Sequence, residues 1–203
     1  MPALWIGPGR VVLASKSESR HAILDAAGIP HEVLPAEIDE RKVEGCAADR
    51  SAVQVAALLA REKACAVSAR RPGTLVIGAD QTLALGERRF SKPTDRASAH
   101  EQLMMLRART HQLHSAIAVA RDNSVLLEHC QAARLTMRAF SNAFLEAYLD
   151  DMGSAAKTSV GGYQLERIGI HLFERIEGDH FVILGLPLLP LLQFFRRQGV
   201  LMQ

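Results

Sequence analysis

The residues able to do chemistry sit in a few short segments. Near the N-terminus the apolar run Val11-Val12-Leu13-Ala14 gives way at once to Ser15-Lys16-Ser17-Glu18-Ser19-Arg20, and helix-like sequence follows as far as Gly28. A strand that ends in hydroxyls and cations at the start of a helix suits an anion. The unpaired N–H groups and positive dipole end of the helix would face a phosphate, with Ser15 and Ser17 as donors and Lys16 or Arg20 as countercharge. The same residues permit a plainer reading, in which Ser17 or Ser19 caps the helix and the charges are solvated. Asp80 follows Gly78-Ala79 at the C-terminal end of a wholly apolar strand, Thr74 to Asp80. In open α/β sheets ligands bind beyond such strand ends, where a carboxylate can hold a divalent cation or take a proton from an attacking water. A turn or capping Asp is the alternative.

Lys63 falls on the same helical stripe as Ala56, Leu59 and Val67, from which it can snorkel to solvent or reach a phosphate across a cleft. Lys92 precedes Pro93, which holds it extended before a helix start. Glu37, Asp39 and Glu40 form an acidic cluster that offers hard oxygen ligands, although a solvated turn is the simpler assignment. Other signals fail. His111 and His114 are three apart in a strand and so point to opposite faces, which argues against a paired metal site. Neither GxxxxGK[ST] nor GxGxxG occurs, so any phosphate grip is not a P-loop or a Rossmann turn. Phe194 and Phe195 beside Leu191 and Leu192 read as core packing.

The elements that must position these groups follow from periodicity. Residues 10–14 read as a buried strand, 17–27 as a helix closed by Gly28, and His31 to Leu34 as a second strand. Residues 35–48 read as a loop, and a helix runs from Asp49 or Ser51 to about Arg70. Thr74 to Asp80 is a buried strand, with a hairpin at Gly86-Glu87, and Thr94 or Asp95 caps a helix to about Arg107. Strands near 112–120 and 124–139 pair across Asp122-Asn123, and Ser141 caps a helix to about Met152. Beyond the loop holding Gly161 and Gly162, Ile168–Glu174 and Phe181–Leu184 read as strands, and a last helix opens at Pro187 and ends at Gly199. Early alternation and later sequential pairing imply an α/β fold with a mixed, twisted sheet.

Composition narrows the function classes. The chain has 203 residues, fitting a single domain over 1–203, and its net charge of +2 is dispersed among acids, leaving no basic stripe for nucleic acid. Exposed aromatics for an RNA-binding module are lacking as well. Three scattered cysteines, Cys46, Cys65 and Cys130, suit buried thiols in a reducing compartment. No run approaches the ~18 apolar residues of a membrane span and no leader-like segment opens the chain, so no membrane partner and a cytoplasmic location are expected.

Taken in order and spacing, Leu13 to Arg20, Glu62-Lys63-Ala64, Gly78-Ala79-Asp80, Ser91-Lys92-Pro93 and Gly185-Leu186-Pro187 resemble the Maf family of nucleoside triphosphate pyrophosphatases, once described as septum formation inhibitors. The resemblance runs from Leu13 to about Arg197. It implies the inosine triphosphatase-like fold, flanking helices around a central cleft, and hydrolysis of a nucleoside triphosphate to monophosphate and pyrophosphate with Mg²⁺ or Mn²⁺. It assigns Ser15, Arg20, Lys63 and Lys92 to the triphosphate, Glu40 and Asp80 to the metal, and Asp80 to proton acceptance. The usual Ser-x-Ser-Pro-Arg-Arg pattern here reads Ser15-Lys16-Ser17-Glu18-Ser19-Arg20, one arginine short. With Gln81, Glu166 and the run Leu172 to Gly178, this resembles the branch acting on 7-methylguanosine triphosphate, and Ser19, Gln81 and Glu166 become the base-selecting set. A carboxylate suits guanine, whose N1–H and N2 amino group present adjacent donors. A non-catalytic nucleotide-binding regulator of cell division is the competing implication, and a homodimer is left open.

Overall fold

The computed structural model describes residues 4–47 and 49–203. Its strands are β1 (Val11–Leu13), β2 (His31–Val33), β3 (Val76–Leu85), β4 (Arg88–Phe90), β5 (Thr110–Arg121), β6 (Ser124–Met137) and β7 (Phe173–Glu177). They form one sheet ordered β2-β1-β3-β5-β6-β7, with β4 paired to the far half of β3. β1 is parallel to β2 and β3, whereas β3, β5, β6 and β7 pair antiparallel in turn. The mixed α/β class read from the sequence is therefore the observed one. The β5–β6 hairpin turns through Asp122 and Asn123, both at positive φ, which matches the right-handed twist of the flanking strands.

The helices are α1 (Glu18–Ala26), α2 (Glu40–Gly45), α3 (Ala52–Ser68), α4 (Arg96–Leu106), α5 (Asn142–Met152), α6 (His180–Ile183) and α7 (Leu188–Arg197). Strand parity sorts them onto two faces. On one, Ala56, Ala60 and Ala64 of α3 pack against Ala116, Ala118 and Ala120 of β5. On the other, Ile23 and Leu24 of α1 and Leu191, Phe194 and Phe195 of α7 pack against Leu13, Ile77, Ile117 and Val119. Beyond β3, α4 and α5 enclose a further core around Leu103, Leu135, Phe140 and Leu149. Ser51 starts α3 through a capping box with Gln54, and Asp95 starts α4 through one with Ser98, so Ser51 rather than Asp49 and Asp95 rather than Thr94 are the true caps.

Several sequence readings are corrected. The loop assigned to 35–48, whose Ala48 lies outside the described residues, contains α2, six residues long and capped by Asp39, too short for periodicity to reveal. Phe181–Leu184 is not a strand: the Asp179 carboxylate accepts from the amides of Phe181 and Val182, which turns these apolar residues into the helix α6. Ile168–Leu172 is a 3-10 turn, and the strand expected from Ile168 begins only at Phe173. Cys46, at the end of α2, is exposed and not a buried thiol, while Cys65 and Cys130 are half-buried. Among the described residues no helix is long and apolar enough to cross a membrane.

His111 and His114 both lie buried in β5, on opposite faces as their spacing requires. The His111 Nε2 is 2.7 Å from the Tyr163 hydroxyl, and its ring packs against those of Tyr163 and Phe173, which also touch each other. Burial pushes this imidazole down to about 4, so it stays neutral in the folded protein. In the unfolded chain it takes up a proton near 6.5, so stability present above that pH is lost progressively as pH falls from about 6.5 towards about 4. The loss amounts to roughly 3 kcal/mol. Replacing His111 with Phe should flatten this acid limb in a comparison of melting temperature against pH; an unchanged slope would exclude His111 as its source.

Candidate active site

A tight helix-on-sheet contact creates the central feature. Gly78 of β3 lies under α3, where an added Cβ would collide with the Ala60 carbonyl oxygen and lie 2.6 Å from the Ala64 amide nitrogen. The alanine stripe and this glycine let the helix backbone settle directly onto the strand. Lys63 and Asp80, one residue from Ala64 and two from Gly78, are carried into contact on that same face. The Lys63 Nζ donates to Asp80 Oδ1 at 2.7 Å and lies 2.9 Å from Glu40 Oε1 at the start of α2. Lys63 and Asp80 are only 7% and 8% exposed, so one ammonium is shared by two carboxylates largely out of water.

Asp80 is not at the end of its strand. β3 continues to Leu85 because residues 81–84 keep pairing with β5 after the parallel partner has stopped. The relevant strand end is that of β1, whose register on β3 closes at Leu13 opposite Ile77. There Ser15 and Arg20 enter from the other face. The Arg20 Nη1 donates to Ser15 Oγ at 3.0 Å and to the Ala79 carbonyl at 2.8 Å, and its Nε donates to the Gly185 carbonyl at 2.8 Å. Those three bonds leave two of the five guanidinium N–H groups, both on Nη2. Gly185, at φ +93°, permits the approach, since a Cβ there would sit 3.3 Å from the Arg20 Nε. Ser17 caps α1 by accepting from the Arg20 amide, so the capping role and the cation placement are served by one turn. Lys16 is exposed, and Arg20 is the buried cation.

The electrostatics join these groups into one charged cluster. Burial raises the Asp80 carboxyl above the usual range, against the pull of Lys63 and Arg20 and with reinforcement from Glu40. Burial also lowers the Arg20 guanidinium, opposed by Asp80 and Glu40. Lys92 keeps contact with solvent but is drawn below the ordinary lysine range, first by partial desolvation and next by the like charge of Arg20, with Lys63 adding to it. Ser15, Arg20, Glu40, Lys63, Asp80 and Lys92, scattered over nearly eighty positions, are thus brought together. Glu37 and Asp39 are not among them: Glu37 pairs with Arg70, and Asp39 caps α2.

One acidic group escaped the sequence reading. Glu44 is held above its usual range by desolvation and by the negative charge of Asp80 and Glu40. It lies four residues beyond Glu40, one turn along α2 on the same face, a spacing that signals a carboxylate pair only once α2 is known to be a helix. Glu40 and Asp80, joined through Lys63, offer hard oxygen donors of the kind that Mg²⁺ or Mn²⁺ prefers, and Glu44 adds negative charge to them.

The remaining expected residues lie nearby. The Ser19 hydroxyl donates to Glu166 Oε1 at 2.8 Å across 147 positions. The Gln81 side chain, on the opposite face of β3 from Asp80, directs its Nε2 to the Ser115 hydroxyl and to the carbonyls of Val182 and Ile183 in α6. It is an anchor for that helix.

These features define a mixed α/β protein with a cluster of buried and half-buried charges at the carboxyl end of β1, built from both faces of its sheet. Residues 10–198 match the family described as Maf-like protein, and the chain belongs to that family. It is 54% identical to a protein of Rhodopseudomonas palustris (strain BisB18) and 54% identical to one of Bradyrhizobium diazoefficiens, with 98% of each chain covered in both cases. A protein of Paramagnetospirillum magneticum is 50% identical over 94% of this chain and 99% of its own. All three relatives carry the name nucleoside triphosphate pyrophosphatase.

Proposed function

We propose that this protein is a hydrolase that cleaves a nucleoside triphosphate between the α and β phosphates, giving a monophosphate and pyrophosphate. The observation that carries the reading is the buried Lys63 shared by Asp80 and Glu40, set against Ser15 and Arg20 at the end of β1. The names of the relatives and the order of the motifs support it. A regulator that only binds nucleotide has no use for a desolvated carboxylate at this point.

The chain's own groups meet the needs of such a reaction. Lys63, Lys92 and the two remaining N–H groups of Arg20 offset the negative charge that gathers on the departing pyrophosphate, and the Ser15 hydroxyl holds Arg20 in line. Asp80 accepts the proton of the attacking water. Its carboxyl is less acidic than that of a free aspartate, which makes it the better acceptor. Glu40 and Asp80 are the groups that would hold a divalent cation. When bound, Mg²⁺ or Mn²⁺ supplies Lewis-acid stabilisation of the phosphoryl oxygens.

For the base, the lean is to guanine, with 7-methylguanosine triphosphate as the leading candidate. The single bond from Ser19 leaves acceptor capacity on both oxygens of Glu166, which suits the paired donors of a guanine edge. Gln81 supports selection indirectly, by fixing α6.

Asp80→Asn, which leaves Lys63 with Glu40 as its one carboxylate partner and so lowers the melting temperature, should on protein shown by circular dichroism to be folded lose pyrophosphate release by a factor of roughly a hundred or more, measured with a coupled pyrophosphate assay. Near-normal turnover would remove Asp80 from this role. Glu166→Gln should narrow the preference for guanine over pyrimidine triphosphates by about tenfold or more, read as a ratio of kcat/KM values. An unchanged ranking would sink the assignment of Glu166.

A further inference from the structure

Helix α1 presents a second cluster on its outer side, directly after Arg20. His21 and Asp25 are four residues apart and therefore share one helix face, and His31 at the start of β2 meets them. One candidate ligand atom from each of the three residues lies within 4.8 Å of the others. The His31 Nε2 is 2.6 Å from the His21 Nδ1, and the His21 Nε2 is 3.3 Å from Asp25 Oδ2.

His31 is the prepared member of this group. Its side chain is 2% exposed, and its Nδ1 lies 2.8 Å from the Ile29 carbonyl. A carbonyl can only accept, so Nδ1 carries the proton and Nε2 presents its lone pair towards His21. Such a backbone partner on the distal nitrogen is the device that fixes tautomer and ring orientation in histidine ligands. His21 and Asp25, 50% and 61% exposed, retain the freedom to close around an ion and leave a fourth position open to water. Two imidazole nitrogens on a tetrahedral zinc lie roughly 3.3 Å apart, so the exposed His21 ring must draw back from His31 by under about 1 Å, and the exposed Asp25 carboxylate, now 3.3 Å from the His21 Nε2 and 3.9 Å from the His31 Nδ1, must turn to the His21 Nδ1 side to join them.

We propose that His21, Asp25 and His31 form a binding site for Zn²⁺ that ties α1 to β2. The donor set of two imidazoles and one carboxylate differs in kind from the all-oxygen pair of Glu40 and Asp80, and it selects a borderline transition metal over Mg²⁺. Nothing in this site depends on the pyrophosphatase reading.

The test is calorimetric titration of the chelator-treated full chain with Zn²⁺ in excess Mg²⁺, paired with thermal unfolding. The expected result is one Zn²⁺ per chain and, at a hundredfold excess over Kd, a rise in melting temperature of roughly 5 °C or more that chelator reverses. His21→Ala, which removes a half-exposed ring, should weaken zinc binding by at least about tenfold and abolish most of that rise, and Asp25→Asn should weaken binding as well. If zinc binds wild type and His21→Ala alike, the ion is held elsewhere, for example by the exposed Cys46, and the proposal is overturned. Binding of wild type weaker than about 0.1 mM would overturn it equally.

Discussion

An ammonium shared by two carboxylates, with two of the three groups nearly sealed from water, is the interaction on which the arrangement of this chain turns. Taking such ions out of water costs several kcal/mol each, and removing one partner of a buried pair costs about 3–5 kcal/mol because the other is left unpaired. An apolar replacement would serve stability at least as well. The surrounding structure meets the geometric demands of the pair one by one. α3 must lie flush on β3, which the alanines and Gly78 allow; α2 must deliver Glu40; and β1 must stop early, so that Ser15 and Arg20 reach the flank of β3.

Arg20 completes the charge balance from the opposite side of the sheet, and its anchoring links distant parts of the chain. The guanidinium joins the end of β1, the backbone of β3 and the glycine turn after α6 in three hydrogen bonds. The resulting site is buried and hydrogen-bonded where charge must be held. It is open to water at its edge, where Glu40 is half-exposed and Lys92 reaches solvent. A buried floor with a wetter edge suits a polyanion that arrives and leaves with its own counterions.

Much of this was legible in the sequence because the signals were local. The stripe through Ala56, Leu59, Lys63 and Val67 located Lys63 on the buried face, and the strand-to-helix junction at Ser15 located the anion-suited turn. What escaped reading depended on tertiary pairing or on elements too short to show a period. Asp80 looked terminal because the apolar run ends there, but β5 extends the strand past it. Phe181–Leu184 looked like a strand until the Asp179 cap is seen to bend it into a helix. α2 is barely one and a half turns, and with it went the Glu40 and Glu44 pair. The contact of Ser19 with Glu166 spans most of the chain, and no local pattern could have joined them.

The identity of the products tests the reading of the site most directly. Purified protein would be incubated with a panel of normal and modified nucleoside triphosphates in Mg²⁺ and in Mn²⁺, and nucleotide and phosphate products would be quantified together. The expected result is metal-dependent formation of monophosphate and pyrophosphate in equal amounts. Release of orthophosphate with a nucleoside diphosphate, or no turnover of any triphosphate with either metal, would contradict it.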